Sequence, residues 1–353
     1  MSESWITRLV KPDSITPLEL DGWLRDGWFR VGQSMMTCRL MVNPTGLRST
    51  VWTRLPLAAF RFSKSQRKLL SGIRRDFHVT VGEATIDTQT ETLYARYLTA
   101  VSGRRSPTLR SYCLGDEPSN RFPTQQISIW DGQTLAAMSW FDVGQTSVQS
   151  LAGFYDPAYT RRSLGFATLL LEIEHARTLG LDYHYSGYVL PGDPSMDYKL
   201  RTQPMEFLDH STGQWRPWDE FDAEARPDLQ IRTALREVLG TLRDRRMPSW
   251  IEENEPFSLN AQDANLLSSP LTVVATREPQ QPKAWLVTWD LNHNAFRVQL
   301  GIRALARIET AGSDDVENLR VWLIQDDLGL HATVEDATAR IEMEADKTPE
   351  PSA

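Results

Sequence analysis

One stretch restricts this chain more than any other. It is Phe154-Tyr-Asp-Pro-Ala-Tyr-Thr-Arg-Arg-Ser-Leu-Gly-Phe-Ala167, followed by a helical run and then Tyr183-His-Tyr-Ser-Gly-Tyr188. The pattern predicts a strand entering at Phe154, a turn at Asp156-Pro157, and a helix opening near Ala167 from a basic, Gly-containing loop. The first N–H groups of such a helix have no intrahelical partner, and the aligned peptide dipoles add partial positive charge. That end suits a phosphate or a polarised carbonyl oxygen. The chain then returns through a Tyr-rich strand to Tyr198-Lys199. The order points to acyl or aminoacyl transfer.

A chain of 353 residues predicts two or three folding units. Residues 17–32 carry Leu18, Leu20, Trp23 and Leu24 at helical spacing, and this helix is expected to run into Gly27-Trp28-Phe29-Arg30. Met35–Val42 and Ser49–Leu57 read as a hairpin around Asn43-Pro44-Thr45-Gly46. A helix over Ser63–Arg75 takes Ser63 as its N-cap, and Thr90–Val101 is a second helix. From residue 109 the rhythm becomes strand-rich, with strands expected at 109–115, 125–131, 134–142 and 147–155. A helix at 165–179, closed by Gly180, and a strand at 182–189 follow. The sum is an α+β layered architecture. Beyond it come a helix at 228–245 and three strands, Leu271–Ala275, Ala284–Asp290 and Ala295–Gly301. The expected division is 1–105, 106–220, an unassigned appendage at 221–341, and a disordered acidic tail at 342–353.

The formal net charge of −8 argues against indiscriminate nucleic-acid binding but permits a local basic surface. No run of about 18 apolar residues predicts a membrane span, and no basic start with an apolar core predicts a secretion signal. Cys38 and Cys113 are the two cysteines. Without a Cys-x-x-Cys pair, no zinc or iron–sulfur site is expected, and a cytoplasmic setting is.

Arg162-Ser-Leu-Gly-Phe-Ala167 fits the [Gln/Arg]-x-x-Gly-x-[Gly/Ala] pattern of a pyrophosphate-binding loop. Gly165 would let backbone approach a ligand oxygen, although an ordinary strand–helix connection explains it equally well. Arg54, Arg61, Lys64, Arg67, Lys68, Arg74 and Arg75 can bind phosphates, with Ser63, Ser65 and Gln66 as neutral partners; a solvated helix face is the plain alternative. Tyr183, Tyr185 and Tyr188 suit a ligand platform or a core. Asp156 before Pro157 is a common turn initiator. His78, His175, His184 and His210 show no metal-ligand spacing.

Taken together, these segments resemble the arginyl-tRNA–protein transferase family, including its bacterial aspartate/glutamate leucyltransferase branch. The resemblance begins at Asp26-Gly-Trp-Phe-Arg30 with Gly32. It continues through Leu55–Lys68, which contains Ser63-Lys-Ser-Gln-Arg-Lys68, and through Leu93-Tyr-Ala-Arg-Tyr-Leu98. Phe154-Tyr-Asp-Pro157, Ser163-Leu-Gly165, Tyr183-x-Tyr-x-Gly-Tyr188, Met196-x-Tyr-Lys199 and Pro204-x-Glu206 follow in the family's order. The match covers residues 20–218.

The resemblance implies an N-terminal hairpin-and-helix domain and an N-acetyltransferase-like (GNAT-like) second half. It implies attack by a protein's N-terminal amine on the ester of an aminoacyl-tRNA, moving arginine or leucine to proteins beginning with Asp or Glu. By the same resemblance Ser63, Lys64, Ser65, Gln66, Arg67, Lys68, Arg74 and Arg75 would hold the tRNA acceptor end. Arg162, Ser163, Leu164 and Gly165 would line the aminoacyl-ester pocket. Tyr188, Tyr198, Lys199 and Asp156 would face the reacting ends, with Lys199 and Arg162 as candidates for an acidic acceptor side chain. The family's Cys-x-x-Cys is missing, since Met35-Met-Thr-Cys38 stands there, and so is its Arg-His after the Tyr-x-Arg-Tyr helix, where Val101-Ser-Gly-Arg104 stands. An acyl-CoA-dependent N-acyltransferase and a non-catalytic binder of tRNA or protein N-termini remain rival readings.

Overall fold

Strands Thr124–Asp131 (β3), Thr134–Val143 (β4) and Ser147–Tyr155 (β5) form a continuous antiparallel meander. They set the frame of the computed structural model, which describes residues 7–43, 46–101, 106–115, 117–193, 196–254, 265–278, 281–309 and 316–347. Five further strands complete the sheet: Val51–Pro56 (β1), His78–Glu83 (β2), Tyr183–Val189 (β6), Glu206–Asp209 (β7) and Gln214–Pro217 (β8). The eight-stranded order is β8-β7-β1-β6-β5-β4-β3-β2. Every neighbouring pair is antiparallel except β5 and β6, which run parallel over Ser147–Gln149 against Tyr183–Tyr185.

A parallel pair needs a crossover, and the helix Leu164–Thr178 (α5) supplies it. Its buried residues include Leu164, Phe166, Ala167, Leu169, Leu170, Leu171, Ile173 and Ala176, so it is apolar on most sides and sits inside the main core. Lys64–Asp76 (α2) packs against α5 through Leu70 and Ile73. Its start is fixed by a capping box: Ser63 Oγ accepts from the Gln66 N–H at 3.2 Å, and Gln66 Oε1 accepts from the Ser63 N–H at 2.8 Å. Thr88–Leu98 (α3) is capped by Asp87 and buries Leu93 and Tyr94.

Several sequence expectations change. Pro17–Arg25 (α1) stops well short of residue 32: Asp26 caps it, Gly27 turns with φ +79°, and Phe29–Val31 is a strand. Residues 109–115 contain a short helix, Leu109–Cys113 (α4), instead of a strand, because Thr108 and Ser111 form a capping box. Pro44 and Thr45 of the expected turn, and residues 102–104, lie outside the described residues.

Contact within the chain divides it into two compact units. One holds Leu9–Thr37 and Thr50–Phe221. Because β1 lies between β7 and β6, residues on both sides of position 105 share one sheet and one core, and the expected division at 105/106 separates no compact units. The other unit contains Cys38–Ser49 and the described residues from Asp222 onward. Instead of three strands it has a five-stranded antiparallel sheet: Ser249–Glu253 (β9), Leu271–Ala275 (β10), Lys283–Asp290 (β11), Ala295–Glu309 (β12) and Val316–His331 (β13). Helices Pro227–Asp244 (α6) and Val334–Lys347 (α7) cover it with Leu235, Val238, Leu242 and Ile341. The expected disordered tail is therefore helical to Lys347, and residues 348–353 lie outside the described part. The hairpin Leu40–Asn43 with Gly46–Ser49 belongs to this unit, burying Leu40 and Leu47 in its core.

A buried ion pair ties the first unit together. Arg30 and Asp142 both have fully buried side chains and meet at 2.7 Å. Arg30 also donates to Gly32 O, Thr124 Oγ1, Cys113 O and Asn120 Oδ1, and lies 4.2 Å from the Phe122 ring centroid. Desolvation pushes the Asp142 carboxyl up, while Arg30 and Thr124 pull it down. Removing one partner strands a charge in the interior. Asp142→Ala is expected to destabilise the protein by about 3–5 kcal/mol. The check is a chemical-denaturation midpoint, and a loss under about 1 kcal/mol would show that the neutral partners alone satisfy Arg30.

Candidate active site

The place where β5 and β6 part is built by strand chemistry first. After Gln149↔Tyr185 the parallel register ends, and β6 carries an irregularity between His184 and Gly187 in its pairing with β1. Gly187 takes φ +81°, and a Cβ there would meet the Phe29 ring at 3.4 Å and Lys199 Nζ at 3.7 Å. Only glycine adopts that backbone without strain; the contacts themselves are ordinary.

Around this point Phe29, Trp52 and Tyr188 form an aromatic trio with centroids 5.4–5.9 Å apart. Lys199 Nζ donates to the Tyr188 carbonyl at 2.8 Å and lies 5.5 Å from its ring. Desolvation brings the Lys199 ammonium down to about 8, with Glu172 acting in the opposite direction. The loss of solvent around its hydroxyl pushes neighbouring Tyr198 up to about 12, although 38% of the residue surface stays open. Tyr188 and Lys199 are thus brought together, and Tyr198 is Lys199's neighbour on the 3-10 turn Asp197–Arg201.

Asp156 is not with them. Its Oδ1 accepts from the Ala158 N–H at 2.9 Å and its Oδ2 from Arg96 at 2.8 Å, so it caps the 3-10 turn Pro157–Arg162 and anchors α3. A groove of about 480 Å³ beside that turn is lined by Asp76, Phe77, Asp131 and Pro157–Arg162, and by none of the Lys199 group.

The start of α5 departs from a simple loop. Ser163 sits in the left-handed region (φ 54°, ψ 37°), and no side chain caps the helix. Its first N–H groups therefore lack the usual side-chain acceptor. Gly165 serves packing, since a Cβ would lie 3.3 Å from the Tyr155 ring. Arg162 pairs with Asp76, as does Arg75, and together they hold Asp76 down to about 2. Arg74 pairs with Glu174 of α5.

The basic helix and the α5 start are linked through Arg201. Gln66 Nε2 donates to Arg201 O at 2.9 Å, and the Arg201 guanidinium lies 4.2 Å from the Phe166 ring centroid. Ser63 and Gln66 are committed to the helix cap, with Ser65 Oγ 2.9 Å from Ser63 Oγ. Lys64, Arg67 and Lys68 stay exposed, although one Arg67 nitrogen donates to Phe62 O.

Sequence reasoning passed over a buried polar chain. Glu172 Oε2 lies 3.2 Å from His184 Nε2, and His184 Nδ1 lies 3.2 Å from Ser186 Oγ. All three are at most 3% exposed. The signal was a lone carboxylate in Leu169-Leu-Leu-Glu-Ile173, because an unpaired charge on a buried helix is costly. Gln149 is a second omission: Oε1 accepts from the Arg30 N–H at 3.4 Å, while buried Nε2 has no hydrogen-bond partner.

Residues 89–209 match the family model described as "Arginine-tRNA-protein transferase, C terminus". The chain is 31% identical over 185 residues to an aspartate/glutamate leucyltransferase of Stenotrophomonas maltophilia (strain R551-3), covering 50% of this chain and 71% of that protein. The chain belongs to the aminoacyl-tRNA–protein transferase family. A second relative of the same description, from Acinetobacter baumannii (strain ATCC 17978), is 30% identical over 212 residues, covering 58% of this chain and 73% of its own length. A solved structure titled as the C-terminal domain (DUF2156) of a putative lysylphosphatidylglycerol synthetase from Agrobacterium fabrum is only distantly alike. It shows 15% identity and a TM-score of 0.33 over 40% of this chain and 47% of that one. The family span 89–209 contains α5, β6 and Lys199.

Among the described residues no group of three or more His, Cys, Asp or Glu is placed to hold a metal ion, and no helix is long and apolar enough to cross a membrane. Cys38 and Cys113 are buried and unpaired with each other, and burial pushes the Cys113 thiol up to about 12.

Gly187→Ala is expected to destabilise the protein by about 1 kcal/mol or more, because alanine resists positive φ. Thermal unfolding reads the effect; an unchanged midpoint would mean the strand adopts another path there.

Proposed function

We propose that this chain transfers an amino acid, leucine or arginine, from charged tRNA to the N-terminal amine of a protein that begins with Asp or Glu. The observation that carries the reading is the half-buried Lys199, held beside Gly187 and Tyr188 where two parallel strands part, with desolvation lowering its ammonium to about 8. A single parallel pair crossed by α5 inside an otherwise antiparallel sheet supports a GNAT-like arrangement for this half.

The acceptor amine arrives as an ammonium and must lose a proton before attack. A lysine near 8 is partly neutral at physiological pH and can accept that proton. Attack forms the C–N bond and breaks the ester C–O bond. The ribose oxygen leaves with one proton, which Lys199 can return, and the remaining proton passes to solvent. The uncapped N–H groups at Leu164 and Gly165 suit the developing oxyanion. An aminoacyl ester is already activated, so positioning supplies much of the rate. The reading assigns no iron–sulfur cluster or zinc; aminoacyl-tRNA is the co-substrate, and the cytoplasm is where the reaction would run.

Exposed Lys64, Arg67 and Lys68, close to Arg61, make the phosphate-facing surface of this reading. Arg74, Arg75 and Arg162 would first have to leave carboxylate partners.

The test is a two-donor assay on a peptide beginning with Asp or Glu. Leucyl- or arginyl-tRNA is expected to donate and acetyl-CoA is not. Transfer from acetyl-CoA alone would make the chain an acyl-CoA-dependent N-acyltransferase, and transfer from none would leave a binding protein. Separately, Lys64→Glu with Lys68→Glu should weaken tRNA binding and flatten its salt dependence by roughly 0.7–0.9 log units per lost contact. An unchanged slope removes that face from the tRNA path.

A further inference from the structure

The unit holding the residues from Asp222 onward lies outside the span 89–209 that matches the family model, and it carries a cavity of about 710 Å³. Its walls are the first half of α6, the start of α7 and the strands β11 and β12. Leu229, Thr233 and Glu237 recur at four-residue spacing, so one face of α6 supplies them. Trp289 and Phe296 make an aromatic floor, with ring centroids 4.8 Å apart and planes at 68°. Such a floor takes methylene groups or the approach of a cation to a ring face.

Three carboxylates line the same cavity. Glu224, Glu237 and Glu335 are all exposed, and among the described residues no Lys, Arg or His lines the space with them. Among the described residues none of the three takes part in an ion pair. Arg226, Arg297 and Arg340 on the same elements are taken up by Asp228, Asp290 and Glu344, and Arg236 does not line the cavity. The charge left over is negative. It is also spread out, since no three carboxylates among the described residues converge closely enough to hold a metal ion. That spread suits an extended ligand bearing several positive charges. The volume agrees, being that of a site for a ligand larger than one side chain.

The floor adds a second requirement. Trp289 Nε1 is shut off from solvent and has no hydrogen-bond acceptor. A buried donor without a partner is costly, and a small turn of the ring would offer it to a ligand oxygen. A polyamine brings no such oxygen, whereas a peptide brings a carbonyl at every residue.

We infer that this cavity binds a basic peptide segment of a partner protein. Side-chain stems lie on Trp289 and Phe296, the charged heads meet Glu224, Glu237 and Glu335, and a backbone carbonyl takes the indole N–H. Arginine fits better than lysine, because its planar fork both pairs with carboxylates and stacks on aromatic rings. Binding here is independent of the transfer reading.

The test is fluorescence anisotropy on the full chain with acetyl-Arg-Ala-Arg-Ala-Arg-amide carrying a C-terminal fluorophore. The acetyl cap removes the amine that transfer needs, so this binding and the transfer activity are read separately. Saturable binding that weakens as salt rises is expected. The counterpart with glutamate in place of arginine should not bind, and spermidine, equal in charge to the arginine peptide, should compete poorly. Combining Glu224→Gln, Glu237→Gln and Glu335→Gln should weaken binding roughly tenfold, the sum of three exposed charge pairs. Combining Asp244→Asn, Glu278→Gln and Asp326→Asn removes the same charge from exposed positions outside the cavity and should leave the affinity within about twofold. Trp289→Leu should weaken binding about two- to fivefold. Trp289 also packs against the core of this unit, so its variant is read beside a thermal midpoint, and the surface triples carry the decision. No saturable binding of the arginine peptide, equal losses in the two triples, or spermidine competing as well as unlabelled peptide would each overturn the assignment.

Discussion

The first compact unit depends on the charge of Arg30. Its guanidinium has no exposed surface, yet five acceptors receive its protons, drawn from the loop after its own strand, from β3, from β4, from α4 and from the segment at Asn120. Placing a guanidinium in the interior costs several kcal/mol unless its donors are satisfied. The unit meets that cost by converging five separate pieces of chain on one planar group. The same convergence orients Gln149 through the Arg30 N–H, and Gln149 is the last residue of β5 in the parallel register. The position at which β5 and β6 stop pairing is thereby referred back to a fixed point in the core.

From that point outward, the chemistry follows from an incomplete sheet. Strands that pair satisfy one another's backbone groups, and strands that separate leave those groups for something else. Here the separation is lined by a glycine with positive φ, an aromatic trio and a half-buried lysine whose ammonium desolvation lowers to about 8. A lysine so placed has a proton to exchange near neutral pH, which an ordinary surface lysine does not. The family relationship gives that proton a destination, because joining an N-terminal amine to an aminoacyl ester requires one to be removed.

Much of this was legible in the residues. Ser63 and Gln66 announced the α2 start through their spacing, and the Asp131-Gly132 turn announced the β3–β4 hairpin. The lysine and two tyrosines of the site were visible as motif residues. What escaped has a common physical reason: the deciding partner lay far away in sequence. Arg30 read as part of a motif, and only the fold shows it bonding to Asp142, 112 positions on. Arg74 and Arg162 read as free cations until α2 and α5 met and supplied Glu174 and Asp76. Asp156 read as a turn initiator and does cap the Pro157–Arg162 turn, while the reactive role that the resemblance implied finds its two oxygens already taken up by Ala158 and Arg96. Leu109–Cys113 looked extended because a five-residue helix offers too little periodicity to recognise, although Thr108 and Ser111 mark it. His184 lacked any metal spacing, and its actual partner is a carboxylate on a helix twelve residues earlier.

The hairpin from Leu40 to Ser49 carries one more consequence. It leaves the first unit's sequence, buries Leu40 and Leu47 against Ile231 and Leu235, and accepts the Asp228 N–H on Ser49 Oγ at 2.9 Å. The part of the chain after residue 221 therefore cannot be regarded as a detachable extension. A gene shortened at that point would still encode the hairpin, now stripped of its cover, and would present two leucines and a polar serine to water.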